Sequence, residues 1–99
     1  MNISLTDLYY FVEIAQALSL SRAALRLGVT QPTLSVALSR IEHSLGTRLF
    51  LRSKKGVLLT PAGRSFVLQS RQLIQNWEAV KNQTQAVHSE VKGRYIIGD

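Results

Sequence analysis

Ninety-nine residues, 45% of them hydrophobic, make one small domain with an extension, and a chain this short buries only about 60 to 65% of its unfolded surface, so a second copy is a reasonable source of further apolar burial. Twelve Lys and Arg against six Asp and Glu leave a net charge of +6 and a pI near 10.3. The absence of cysteine excludes disulfides, thiolate zinc sites and a cysteine nucleophile. The amino end lacks the basic start of a secretory signal, and no apolar run approaches the ~20 residues of a membrane span, so a soluble, cytoplasmic chain is expected.

Ser4 and Asp7 have the spacing of a capping box, and Leu8, Phe11, Val12, Ala15 and Leu18 recur at helical intervals after them. This predicts a first helix over Leu5 to Leu18. Ser21 is the predicted cap of a short second helix with small Ala23 and Ala24, ended by a left-handed Gly28. Thr30 caps a third, with Pro32 tolerated in its first turn, Leu34, Leu38, Ile41 and Leu45 as its apolar stripe, and Gly46 at its end. Two short helices about a tight glycine-containing turn describe a helix-turn-helix.

The apolar runs Leu49 to Leu51 and Val57 to Leu59 flank Arg52, Ser53, Lys54, Lys55 and Gly56, which predicts a β-hairpin with a basic tip. A hairpin serving only the core has no need of three cations near its turn, so a wing that touches phosphate is the favoured reading over a structural ribbon. Thr60 and Pro61 then open a long helix, residues 61–90. Phe66, Ser70, Leu73, Trp77, Val80, Thr84, Val87 and Val91 step along it by fours and threes as a heptad seam. Thirty helical residues span about 45 Å and must project from so small a head. A projecting apolar stripe needs a partner, so dimerisation through this helix is expected, with Trp77 near its centre. Residues 91–99 change to a short β-like run with no strand partner elsewhere in the chain.

The positive charge is concentrated. Nine Arg and Lys lie between Leu20 and Arg71 against one acid, Glu42. Such a field favours a polyanion through counterion release, and it also suits a solvated surface that aids solubility. The face of the third helix opposite its apolar stripe nominates Gln31, Pro32, Thr33, Ser35 and Val36 for base edges, with Ser39 on the same face; Gln31 suits adenine, and Pro32 and Val36 suit thymine methyls. Thr30 and the helix start offer N–H groups to a phosphate. Arg52 suits a minor groove, Ser53, Lys54 and Lys55 the backbone, and Arg22, Arg40 and Arg64 are further phosphate candidates. Small polar residues are also ordinary surface filling. Glu42 is expected to pair internally with a nearby arginine.

Neither a catalytic cluster nor a glycine-rich phosphate loop is visible, and His43 and His88 stand apart without neighbouring ligands, so neither enzyme nor metal site is expected. A membrane-surface helix is disfavoured by Ser70 and Thr84 in the seam.

The segments LTDLYYFVEIAQ, Ala23–Ala24, TQPTLS, IEHSLGTRLF and TPAG together resemble the amino-terminal domain of LysR-type transcriptional regulators, over essentially the whole chain. The resemblance implies a mainly α fold: a winged helix-turn-helix of three helices plus a two-stranded hairpin over 1–60, its helix-turn-helix proper at 20–39, then a linker helix pairing antiparallel with its twin. It implies sequence-specific binding of double-stranded DNA as a homodimer, with a tetramer as the larger assembly open to a full-length regulator. DNA-contacting positions of the family fall on Thr30, Gln31, Pro32, Thr33, Ser35, Val36, Arg40 and Arg52. Val36 and Ala37 are apolar where similar proteins often carry a basic or polar residue and a Gln, so specificity is expected to lean on methyl contact at Val36 and on wing and shape readout. Residues 91–99 resemble the first strand of an effector-binding domain, and a stop just after them is what a cut in a longer regulator would leave. No cofactor is expected in this chain, because a small-molecule co-inducer would bind that further domain. The rival reading is a dimerisation module that pairs with a full-length regulator without reading DNA.

Overall fold

The computed structural model describes the backbone of residues 3–98 and the side chains of residues 3–91. Helix α1 (Leu5–Ala17) starts at a complete capping box: the Asp7 amide donates to Ser4 Oγ at 3.1 Å and the Ser4 amide to Asp7 Oδ2 at 3.2 Å. It ends at Leu18, whose left-handed φ of 52° directs its carbonyl to the Val57 N–H at 3.2 Å. Helix α2 (Leu20–Leu27) is capped by Ser19, which accepts the Arg22 amide, and not by the expected Ser21. Burial of Leu20 starts the helix early and draws Ser21 into its first turn.

Gly28 closes α2 with φ 71°, and its amide and that of Val29 return to the last α2 carbonyls as a Schellman-type end. Helix α3 (Gln31–Leu45) follows from the Thr30 cap and ends at left-handed Gly46. Strands β1 (Phe50–Ser53) and β2 (Gly56–Leu59) pair antiparallel, Phe50 with Leu59 and Ser53 with Gly56, leaving Lys54 and Lys55 as the turn. The hairpin therefore reaches two pairs nearer the tip, Arg52 with Val57 and Ser53 with Gly56, than pairing between the apolar runs alone suggests. Gly56, at φ 130°, lies so close to the Leu18 carbonyl oxygen that a Cβ there would collide with it.

Helix α4 (Pro61–Gly98) is anchored by Thr60, whose hydroxyl donates to the Arg48 carbonyl at 2.7 Å and accepts the Gly63 amide at 2.9 Å. It runs on through the segment expected to be a strand as far as Gly98, with Asp99 and the side chains of 92–99 outside the described residues. The reason is that a strand without a partner strands its backbone N–H and C=O groups, whereas helical continuation pairs them within the segment. The described helices and hairpin give long dimensions of 64 × 25 × 20 Å, a head with a projecting rod.

Phe11, at the centre of α1, is fully buried and organises the core. It meets Phe50 of the hairpin at 5.2 Å and Phe66 of α4 edge to face at 4.9 Å, with Ile14, Leu34, Ile41 and Leu49 around them. Phe66, expected in a seam between chains, thus packs against the core of its own chain, and Ser70 is buried as well. The seam and the core face are neighbouring stripes on α4. The first two seam members fall where the head covers the rod.

Candidate nucleic-acid interface

Helix α3 is held on its inner side by Leu34, Ala37, Leu38 and Ile41. Period 3.6 then forces Gln31, Pro32, Thr33, Val36, Ser39 and Arg40 outward, and all six are exposed, with Ser35 partly so. Thr30 accepts the Thr33 amide at 3.3 Å, and Pro32 has no amide hydrogen, so the Gln31 N–H is what the first turn retains for an anion. That is fewer donors than the helix start promised. Thr30 and Thr33 also join hydroxyls at 2.8 Å, which fixes both rotamers.

The wing is tied to α3 through Glu42. Its Oε2 accepts the Leu49 amide at 2.7 Å and the Phe50 amide at 3.2 Å, and lies 3.7 Å from Arg48 Nε. The expected internal arginine partner is therefore Arg48, but the stronger bonds go to backbone at the start of β1. One carboxylate on α3 thereby fixes where the wing begins relative to the exposed face of that helix.

Two hollows lie between α3 and the wing. The larger, about 300 Å³, is lined by Ser35, Ser39, Glu42, Arg48 and Arg52 among others. The second, about 230 Å³, brings Gln31 beside Ser19, Ser21, Arg52, Ser53 and Lys54. Arg52 borders both. So the structure joins Gln31, Ser35 and Ser39 of the helix with Arg52, Ser53 and Lys54 of the wing along one concave, cationic surface. Ser53 uses its hydroxyl within the turn, donating to the Gly56 carbonyl and accepting the Lys55 amide.

Other candidates stand apart from these hollows. Lys55 is exposed at the wing tip, Arg22 on α2 and Arg64 in the first turn of α4. Arg40 donates to Asp7 Oδ1 at 2.8 Å, yet its side chain keeps 42% of its exposure. Arg48 is a cation that sequence reasoning left out of the site. Its signal was its place between Gly46 and the apolar run, where a chain leaving α3 must pass beside the same groove.

Among the described residues no three of His, Cys, Asp or Glu gather as a metal site, and no helix is long and apolar enough to cross a membrane. On α4, Leu73, Trp77, Val80, Thr84 and Val87 are all exposed, as is Val91.

Residues 5–64 match the family model described as the bacterial regulatory helix-turn-helix protein, lysR family. The chain is 39% identical over 98 residues to the uncharacterized HTH-type transcriptional regulator YnfL of Escherichia coli, covering 99% of this chain and 33% of that protein. Among solved structures it is similar to the BenM DNA-binding domain in complex with catB site 1 DNA, at 31% identity and a TM-score of 0.84, covering 87% of this chain and 97% of that one. It is also similar to the CbnR DNA-binding domain in its DNA complex, at 31% identity and a TM-score of 0.81, covering 85% and 97%. The chain spans about a third of the length of the full-length relatives it matches.

Proposed function

This chain belongs to the LysR family of bacterial helix-turn-helix regulatory proteins, and on that premise we propose that it binds double-stranded DNA sequence-specifically, as a cytoplasmic transcriptional regulator or part of one. The observation that carries the proposal is the concave surface shared by α3 and the wing, where Arg52 borders both hollows, with Ser35 and Ser39 lining one and Gln31 the other. A helix of this exposure enters a major groove, while the wing reaches the flanking backbone or minor groove. The similar BenM and CbnR domains were solved with DNA, which supports the same use here.

Two copies would join through Leu73, Trp77, Val80, Thr84 and Val87 of α4, presenting two heads to one duplex. A larger tetramer belongs to the same proposal for a longer regulator. A small-molecule co-inducer would act outside these residues, since the relatives are about three times longer. No catalytic step is part of this reading.

The test is affinity for duplexes of varied sequence, titrated against salt. Two heads with several phosphate contacts each should give a log–log slope steeper than about −5, at roughly 0.9 per contact, with one sequence class preferred. A flat slope with no preferred sequence would leave the rival reading, a rod that only pairs with another regulator, which the exposed α4 stripe favours.

A further inference from the structure

The contact between α1 and α4 has two distinct ends. At one, Phe11 meets Phe66 edge to face. At the other, Tyr9 donates its hydroxyl to Glu78 Oε2 at 2.6 Å, and Lys81 Nζ lies 3.2 Å from that same oxygen. Phe66 and Glu78 are separated by twelve positions, about 18 Å along a helix. Beyond this tie, residues 82–91 are exposed and the rod leaves the head.

An edge-to-face aromatic pair has a preferred geometry, but a softer one than a hydrogen bond, because much of its attraction is non-directional dispersion. A short hydrogen bond to a carboxylate is both directional and strong for its kind. Placed about 18 Å farther along α4 than Phe66, it has the leverage to resist tilting of the head on the rod. A tilt of about 10° at a radius of about 20 Å moves the recognition helix roughly 3.5 Å, which is one base-pair step.

We propose that the Tyr9–Glu78 hydrogen bond fixes the angle between the winged head and α4, and thereby selects the half-site spacing that a dimer reads. This rests on the reading of α4 as a dimer seam and of the head as a DNA reader. Tyr9 and Glu78 are positioning residues, since neither belongs to the concave surface. Lys81 holds the Glu78 carboxylate in place from the rod side, so Tyr9→Phe removes the tie and leaves the rod's own ion pair.

The first measurement needs no DNA. The chain has no cysteine, so His43→Cys and Gln85→Cys, both at exposed positions, give one spin-label pair between head and rod when labelled chain is diluted with unlabelled. We expect a narrow distance distribution that broadens or shifts with Tyr9→Phe or Glu78→Ala. Glu78→Gln, whose amide oxygen still accepts from Tyr9, should keep it narrow. An unchanged distribution in Tyr9→Phe overturns the proposal.

The second measurement is affinity for paired half-sites with spacers varied one base pair at a time. The preference for the best spacer over its neighbours should fall about threefold in Tyr9→Phe, the scale of one part-buried hydrogen bond, with affinity for an isolated half-site unchanged. Equal weakening at every spacer would identify a contact or folding defect and overturn the proposal. Should the labels respond while the unsubstituted chain ignores duplexes, the DNA reading falls, and the half-site claim with it.

Discussion

The carboxylate of Asp7 on α1 closes that helix's capping box with one oxygen and accepts Arg40 Nη1 of α3 with the other, at 2.8 Å. Asp7 is 3% exposed, so a residue that helps start α1 also ties α3 to it. We expect Asp7→Ala to cost about 2 kcal/mol, combining loss of the Asp7 half of the capping box with loss of the bond to Arg40, whose guanidinium is free to rehydrate. At roughly 4–8 °C per kcal/mol for a domain of this size, the melting temperature should fall by about 10 °C. Loss of less than about 0.5 kcal/mol in urea unfolding would show that the pair contributes nothing beyond its cap.

Gly63 tests the joint between hairpin and rod. A Cβ at this position would collide with the Leu49 carbonyl oxygen, and Leu59 Cδ2 would stand at 3.0 Å. Because the obstructing atom is backbone, the chain entering β1 has to shift. Gly63→Ala should therefore destabilise by about 3 kcal/mol, despite the better helix propensity of alanine. A stabilised variant in thermal unfolding would mean that α4 can move away from β1 without cost.

The wing and the helix face should separate in their effects on DNA. Replacing Lys54 and Lys55 by Gln is expected to weaken binding to all duplexes alike and to lower the salt slope by about 1.8 per head, since each removes one phosphate contact. Val36, exposed on α3, should instead matter through methyl contact, so Val36→Ala is expected to alter the selected site sequence while leaving the slope as it was. Selection from a random duplex pool that returns the same site for Val36→Ala would remove methyl readout at this position.

For the rod, Trp77→Ala should raise the dimer dissociation constant roughly thirtyfold, as loss of an aromatic at an interface centre costs about 2 kcal/mol. Leu68 is exposed on another side of α4, away from the seam, and Leu68→Ala serves as the comparison expected to leave sedimentation unchanged. Equal behaviour of the two variants would mean that the seam lies elsewhere.

The Tyr9–Glu78 tie also predicts a pH dependence. Its hydrogen bond to Glu78, with burial and the carboxylate's charge adding, raises the Tyr9 phenol above its usual 10.0. The bond from Tyr9, then that from Lys81, lower Glu78 below its usual 4.5. The stabilisation tied to Glu78 is therefore present above 4.5 and lost as pH falls through its lowered value in the folded chain. That tied to Tyr9 is present below 10.0 and lost as pH rises through its raised value. We expect the head–rod distance to stay narrow at acid pH, where a protonated Glu78 keeps a carbonyl oxygen for Tyr9 as Glu78→Gln does, to broaden as Tyr9 ionises, and Tyr9→Phe to abolish that alkaline dependence. A distribution insensitive to alkaline pH would count against ionisation of Tyr9 in the tie.

The start of α1, the end of α2 and both limits of α3 were legible because their signals are local. Ser4 with Asp7, Thr30, Gly28 and Gly46 each act within four residues, so the linear text contains both partners. Ser19 was missed in favour of Ser21 because the deciding factor was burial of Leu20, which is not a local property. Exposure of the α3 face followed from period alone, since four core contacts leave the opposite side no choice. That Arg40 meets Asp7 and Glu42 meets the start of β1 was not legible, because both are contacts between elements.

The order of letters by itself determined the helix-turn-helix, the basic hairpin and the long amphipathic rod, for these depend on periodicity, caps and turn residues that interact over a few positions. Only the tertiary structure decided which part of α4 the head covers, turning Phe66 and Ser70 inward and leaving the seam residues Leu73, Trp77, Val80, Val87 and Val91 outside, and which cations border the groove beside α3. The physical reason is that a helix's apolar stripe specifies that something must cover it, while the identity of the cover is settled only when the other elements compete for the same surface.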